Sequence, residues 1–510
     1  MIPNTRREFL ADVGRGMLAA SVGSAVAVDL GLSSSAFAAD GPGALSFGAL
    51  EPLVSLMQDT APDKLQPMLI EKLKAGTDLR TLVTAGALAN AREFGGKHYE
   101  GYHTFMAMAP AYEMSRELPD AQKPLPVLKV LYRNATHMQS KGGRKNEELH
   151  EVESAPLPAG KTGGEALQEA TRKNDPKTAE AIFAGLAKGK PNDAYDALQY
   201  IVQDEVNVHR VVLAWRAWAM LDFTGPEQAH TLLRQSVLFA CKEHSRGPQV
   251  AIQTLLPKLL DQHKLVGRKA GTREADDAWI EKLSQVVYSG GRDKAADAAA
   301  AALAEGFSLD SVASAICLAA NQLVLRDPGR RQADGFKQVG SVHGDSVGVH
   351  ASDAANAWRN IAKVSNQRNA FASLIVGAYH TAGQDSGQIK DAYPHAEQLE
   401  KVRTTDTAAL LRQLEDAIKN RDQALAAAVV HKYGELGHPV RGVLDVMLKY
   451  GVSEDGALHA EKYYRTVSEE FALSRPAFKW RQPVALARVT ASEFGKPAPG
   501  VEDAKKMLKV

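Results

Sequence analysis

Three stretches of this 510-residue chain repeat one helical design: "RKNDPKTAEAIFAGLAKGKPNDAYDALQYIV", "SGGRDKAADAAAAALAEGFSLDSVASAICLA" and "IKNRDQALAAAVVHKYGELGHPVRGVLDVML". Each opens near an Asp (Asp175, Asp293, Asp422) suited to capping a helix. Each runs an Ala-rich segment to a glycine (Gly189, Gly306, Gly437) where a left-handed stop needs no Cβ. A second apolar helix follows. The shorter "LIEKLKAGTDLRTLVTAGALANAR" fits the same plan in the first quarter. Apolar residues recur at helical spacing and alternating β-branched runs are few, so the chain reads as all-α.

After every hairpin comes a helix headed by a histidine: "YEGYHTFMAMAPAYEMS", "QDEVNVHRVVLAWRAWAML", "DSVGVHASDAANAWRNI" and "EDGALHAEKYYRTVSEE". The histidines are His103, His209, His350 and His459, and one more helix follows each. The expected architecture is four tandem units of about four helices each. Repeats of this kind stack their apolar faces as a solenoid or close as a ring, here with a His-lined interior. The expected units are 39–140, 166–262, 263–400 and 401–510, with a polar linker at 141–165 and a Gly-rich insertion at 326–349. Long irregular insertions are more often functional than simple connectors.

The N-terminus "NTRREFLADVGRGMLAASVGSAVAVDLGLSSSAFAAD" has Arg6–Arg7 before a mild apolar run and ends in "AFA" at Ala38. This predicts a twin-arginine signal over 1–38, hence the twin-arginine translocase as a partner and a periplasmic or secreted mature protein. That route carries folded proteins, often with a cofactor in place. Charge is balanced, 61 basic against 60 acidic residues, which argues against nucleic acid as a partner. No long apolar run follows the signal, so no membrane span is expected. Cys241 and Cys317 sit in apolar helical text and read as buried thiols.

A ring of four helix heads would bring imidazoles together. Neutral imidazole suits Zn, Cu, Fe and Ni, and the positive end of a helix favours the neutral form. The candidate ligands of a transition metal (Fe, Cu or Zn) are His103, His209 and His350, with His230 and His380 as further members. His103, His209 and His350 are also candidate acid–base groups, with Glu113 as a base or orienting carboxylate ten residues after His103. Trp215 and Trp358 would wall a small-molecule substrate or cofactor, and Arg216 and Arg359 would meet an anionic or carbonyl group. "GDSVG" (344–348) satisfies G-x-S-x-G with Ser346 as nucleophile, which requires a preceding strand. "PAGKTGG" (158–164) reads as a turn rather than a phosphate loop.

The chain looks like a family of exported, all-helical, His-containing bacterial proteins. More distantly, "HTFMAMAPAYE" (103–113) is similar to a helix of questin oxidase-like proteins, in which a His precedes an acidic residue as H-x9-E. "VHASDAANAWR" resembles the same family's His-headed helices. The family's second His, four residues after the first, is replaced by Ala107. The resemblance implies a helical fold with a His-lined interior and an oxidoreductase activity on a small organic substrate. The alternatives are a non-catalytic helical-repeat scaffold, whose histidines would scatter over unrelated faces, and a serine hydrolase using Ser346.

Overall fold

The computed structural model describes residues 43–384 and 387–510; the twin-arginine segment 1–38 lies outside the described residues. The protein is all-α, and the described residues contain no strand. The first segment holds α1 (Glu51–Asp59), α2 (Pro62–Lys74), α3 (Leu79–Phe94), α4 (Tyr99–Arg116) and α5 (Pro124–Lys141). The second holds α6 (Gly163–Arg172), α7 (Pro176–Leu186), α8 (Pro191–Val202), α9 (Val208–Thr224), α10 (Ala229–Lys242) and α11 (Ile252–Gln262). The third holds α12 (Asp277–Ser289), α13 (Arg292–Ala304), α14 (Leu309–Leu325), α15 (Val347–Val364), α16 (Gln367–Ala382) and the short α17 (Ala396–Leu399). The last holds α18 (Thr407–Lys419), α19 (Gln423–Glu435), α20 (Arg441–Ser453), α21 (His459–Leu473), α22 (Arg481–Glu493) and α23 (Val501–Leu508).

Each expected segment therefore carries at least one helix more than the repeat pattern predicts. Asp175 and Asp422 cap α7 and α19 by accepting the Thr178 and Leu425 N–H groups. Asp293 instead sits inside the first turn of α13, whose N-cap is Gly291. Gly306 and Gly437 adopt the left-handed φ expected of them, +86° and +75°. "PAGKTGG" is a turn leading into α6, where Thr162 and Glu165 form a capping box. Cys241 and Cys317 are buried free thiols.

The His-headed helices α4, α9, α15 and α21 lie innermost. Helix α4 packs on α9 and α21, and α15 also packs on α9 and α21. Behind them stand α3 and α5, α10, α14 and α16, and α20 and α22. The last helix returns to the first described segment: α23 packs on α2 and α5, and Gln66 Nε2 donates to the Gly500 carbonyl at 2.7 Å.

A buried ion pair fastens α5 to α21. Lys129 Nζ lies 2.7 Å from Glu461 Oε1 with both side chains nearly or fully sealed from solvent. The same ammonium donates to the Gly451 and Glu454 carbonyls at 2.8 and 2.9 Å. Breaking such a pair from one side leaves an uncompensated buried charge, at a cost of about 3–5 kcal/mol. Lys129→Met is therefore expected to destabilise the protein by about that amount, and Lys129→Met with Glu461→Gln to recover most of it. Urea denaturation checks this. Equal midpoints for the single and double variants would contradict it.

Candidate functional site

The four helix starts bring His103, His209, His350 and His459 into one cluster. Nε2 of His103 lies 3.0 Å from Nε2 of His209, and Nε2 of His350 lies 3.2 Å from Nε2 of His459. Ring centroids run round the set as a closed cycle: 4.8 Å from His103 to His209, 5.7 Å to His350, 5.2 Å to His459 and 5.0 Å back to His103. At these separations the rings touch one another. The interior is thus a packed imidazole cluster with no space for an organic molecule between the rings, which corrects the expectation of a His-lined substrate cavity.

His103 and His459 are sealed, each 3 % exposed, while His209 and His350 are half-buried and reach solvent. Tyr99 stands at that open side, 54 % exposed, with its ring 4.3 Å from His103 and 5.7 Å from His209. Tyr102 backs the same two imidazoles at 5.3 and 5.2 Å from within the core.

Sequence sets each ring locally. His209 follows Asn207, which caps α9 and accepts the His209 and Arg210 N–H groups. His350 lies one turn into α15, capped by Ser346. His459 opens α21 after two non-glycine residues in the left-handed region, Ala457 at φ 49° and Leu458 at φ 67°. Such backbone costs roughly 1–3 kcal/mol per residue and persists where surrounding structure enforces it. Here it turns the His459 ring into the cluster. The ring also hydrogen-bonds the Gly456 backbone.

Burial, foremost, holds all four imidazoles neutral, and the neighbouring Lys462 adds to it in each case. His209 is pushed down to about 3 and His350 to about 4. Lys462 Nζ lies 3.1 Å from Nδ1 of His103. Desolvation lowers Lys462 to about 8 against the pull of Asp353 and Glu461. Asp353 accepts the Thr466 hydroxyl at 2.7 Å and, by burial, is itself raised.

The other expected residues fall elsewhere. Glu113 lies about 15 Å along α4 from His103, near the surface, and pairs with Arg116 at 3.2 Å. His380 accepts the Trp358 indole N–H on Nδ1 at 3.3 Å, so both are spent inside the core. His230 stacks near Phe183 at 6.2 Å and joins none of the other histidines. Trp215 packs against the core, and Arg359 is held by Glu470 at 2.5 Å. Arg216 is buried beside Asp353 and Glu469, and its Nε has no hydrogen-bond partner. Ser346 is a helix cap whose Oγ accepts from the Val349 N–H at 3.4 Å, with no strand before it, so the nucleophile elbow is not formed. Two members were missed by the sequence reading, Tyr99 and Lys462. The runs "YEGYH" and "HAEKYY" place Tyr99 and Lys462 within about one turn of a cluster histidine, His103 and His459.

Among the described residues, no group of three or more His, Cys, Asp or Glu side chains stands ready to hold a metal ion. The cluster is two Nε2–Nε2 pairs rather than four nitrogens about one point. It differs equally from the scattered histidines expected of a scaffold. No helix among the described residues is long and apolar enough to cross a membrane. No family model matches the chain, and comparison with curated proteins and with solved structures finds no match.

The depressed imidazoles link stability to pH. A His neutral in the fold but free to protonate near 6.5 when unfolded contributes stability above pH 6.5, lost as pH falls toward the folded value. Each unit of depression corresponds to about 1.4 kcal/mol. The metal-free protein is expected to lose several kcal/mol between pH 7 and pH 4, and a His209→Gln, His350→Gln variant to lose visibly less. Parallel pH profiles from urea titrations would contradict this.

Proposed function

We propose that the protein is an exported, metal-dependent oxidoreductase whose centre is the four-histidine cluster. The chain would be four related helical units closed into a ring, and each unit supplies one ligand: His103, His209, His350 or His459. One observation carries the reading: four neutral imidazoles from four helix starts have their Nε2 atoms paired at 3.0 and 3.2 Å in a single closed cycle of touching rings. Nitrogens bound to one Zn-sized ion at 2.0–2.1 Å in a tetrahedron lie about 3.3 Å apart, so the pairs already have nearly the required edge. Imidazole with neither thiolate nor touching carboxylate suits Cu, Zn, Fe or Ni rather than Mg or Ca. The hydrogen bond from His459 to the Gly456 backbone is the kind of support that orients a ligating imidazole.

When bound, a redox-active metal would supply the electron-transfer capacity that imidazoles lack. The chain's own groups would confine the substrate to the open side. The touching rings exclude it from the interior, and Tyr99 offers an exposed aromatic face beside His103 and His209. This fits a small organic molecule, the class that the questin oxidase-like resemblance implies. Glu113 has no part in it, being at the far end of α4. The Arg6–Arg7 signal supports export of a protein folded around its metal.

The test is elemental analysis of the exported protein. About one equivalent of a transition metal is expected, and His209→Ala and His459→Ala should each cut occupancy at least about tenfold with helical circular dichroism unchanged. A folded, metal-free protein that takes up no Cu(II), Zn(II), Fe(II) or Ni(II) at micromolar concentration would refute the proposal.

A further inference from the structure

The Gly-rich insertion builds a second constellation that is independent of the four histidines. Ser341 Oγ lies 2.8 Å from Nε2 of His343. On the other side of that ring, Nδ1 lies 3.3 Å from Oε2 of Glu493, at the end of α22. His343 is 1 % exposed and Glu493 is buried, while Ser341 remains reachable from solvent. Neither His343 Nδ1 nor Glu493 Oε2 has a hydrogen-bond partner, and the two lie 3.3 Å apart without completing a hydrogen bond. Glu493 is fixed through its second oxygen, which accepts the Gly344 N–H at 2.8 Å. The insertion is pinned to the same helix end by the Val342 N–H, which donates to Ser492 Oγ at 3.1 Å. Phe336 covers the imidazole edge-on at 5.5 Å.

This geometry selects the tautomer. A bare Nδ1 facing a carboxylate oxygen would set lone pair against lone pair, so the proton belongs on Nδ1. Nε2 is then an acceptor, and the Ser341 hydroxyl is its donor, although the same hydroxyl also reaches the Gln338 carbonyl. A hydroxyl on an imidazole whose far side faces a carboxylate is an arrangement that can activate serine for acyl transfer.

We infer that Ser341, His343 and Glu493 form a serine nucleophile site that acts on esters or related acyl compounds small enough to approach the surface loop. Ser341 Oγ would form a bond to the acyl carbon while its proton passes to His343 Nε2, with Glu493 facing the resulting imidazolium. The C–O bond to the leaving alcohol breaks and that oxygen takes the proton from His343. Water, deprotonated by the same imidazole, then cleaves the acyl–Ser341 ester, releasing the acid and restoring the serine. Ser346, five residues on, has no part in this.

The test uses the folded full-length exported protein, a fluorophosphonate probe, and peptide mapping of the adduct. One label on Ser341 is expected, with Oγ bonded to phosphorus and fluoride released. Ser341→Ala should abolish it, His343→Gln should slow it at least about tenfold, and Ser346→Ala should leave it in place. Hydrolysis of p-nitrophenyl acetate should follow the same order. Ser341→Ala removes one hydroxyl at the surface, so its fold can be verified by circular dichroism beside the wild type. A folded wild-type protein that takes no label, or a label mapped to another residue, would overturn the inference. A wild-type ester rate in folded Ser341→Ala would overturn it equally.

Discussion

The constraint on which the centre depends is desolvation of four imidazoles packed as two touching pairs. Protonated histidines could not share this volume, because like charges with centroids about 5 Å apart would repel in a medium that screens them poorly. Burial removes that difficulty by keeping each ring neutral, and the helix N-termini act in the same sense. Neutral rings then have both a donor and an acceptor nitrogen, so they satisfy one another in pairs. The positive neighbour, Lys462, whose charge Asp353 and Glu461 favour, reinforces neutrality in all four rings.

The outer structure serves that centre. The strained Ala457–Leu458 turn costs backbone energy and positions His459. The Lys129–Glu461 pair, two residues further along α21, anchors the same turn to α5. Contact of α23 with α2 and α5 joins the last segment to the first, so α4 and α21 meet although more than three hundred residues separate them. Each of these features fixes the relative placement of helix starts, where a displacement of about an ångström would separate the Nε2 pairs.

Much of this was legible in the sequence, and for a physical reason. Recurrence of a His after each helical hairpin signals a shared interior more strongly than any one histidine does, and the four named from that pattern are the four that meet. Individual merits misled. His230 and His380 look like ligands in isolation, yet they are spent on packing against Phe183 and on the Trp358 indole. Glu113 shares a helix with His103 but not a depth, since 1.5 Å of rise per residue carries it to the surface. The additional helices α1, α6, α11, α12, α17, α18 and α23 were missed because each lies outside the Asp-to-Gly hairpin, the His-headed helix and the one after it that defined the repeat. The Ser341–His343 pair was hidden for another reason. The motif G-x-S-x-G directed attention to Ser346, whereas the partner carboxylate of His343 lies 150 residues away on α22 and no spacing rule could supply it.

Four imidazoles in a closed cycle of contacts are an unusual use of buried polar groups, and the metal proposed for their shared face would give a reason for it. X-ray absorption of the protein loaded with the transition metal proposed for the cluster addresses this most directly. The expected spectrum shows four nitrogen scatterers at about 2.0 Å with the outer-shell pattern of imidazole, and loss of one such ring in His459→Ala. A first shell dominated by oxygen or sulfur, or one with fewer than three imidazoles, would contradict the central claim.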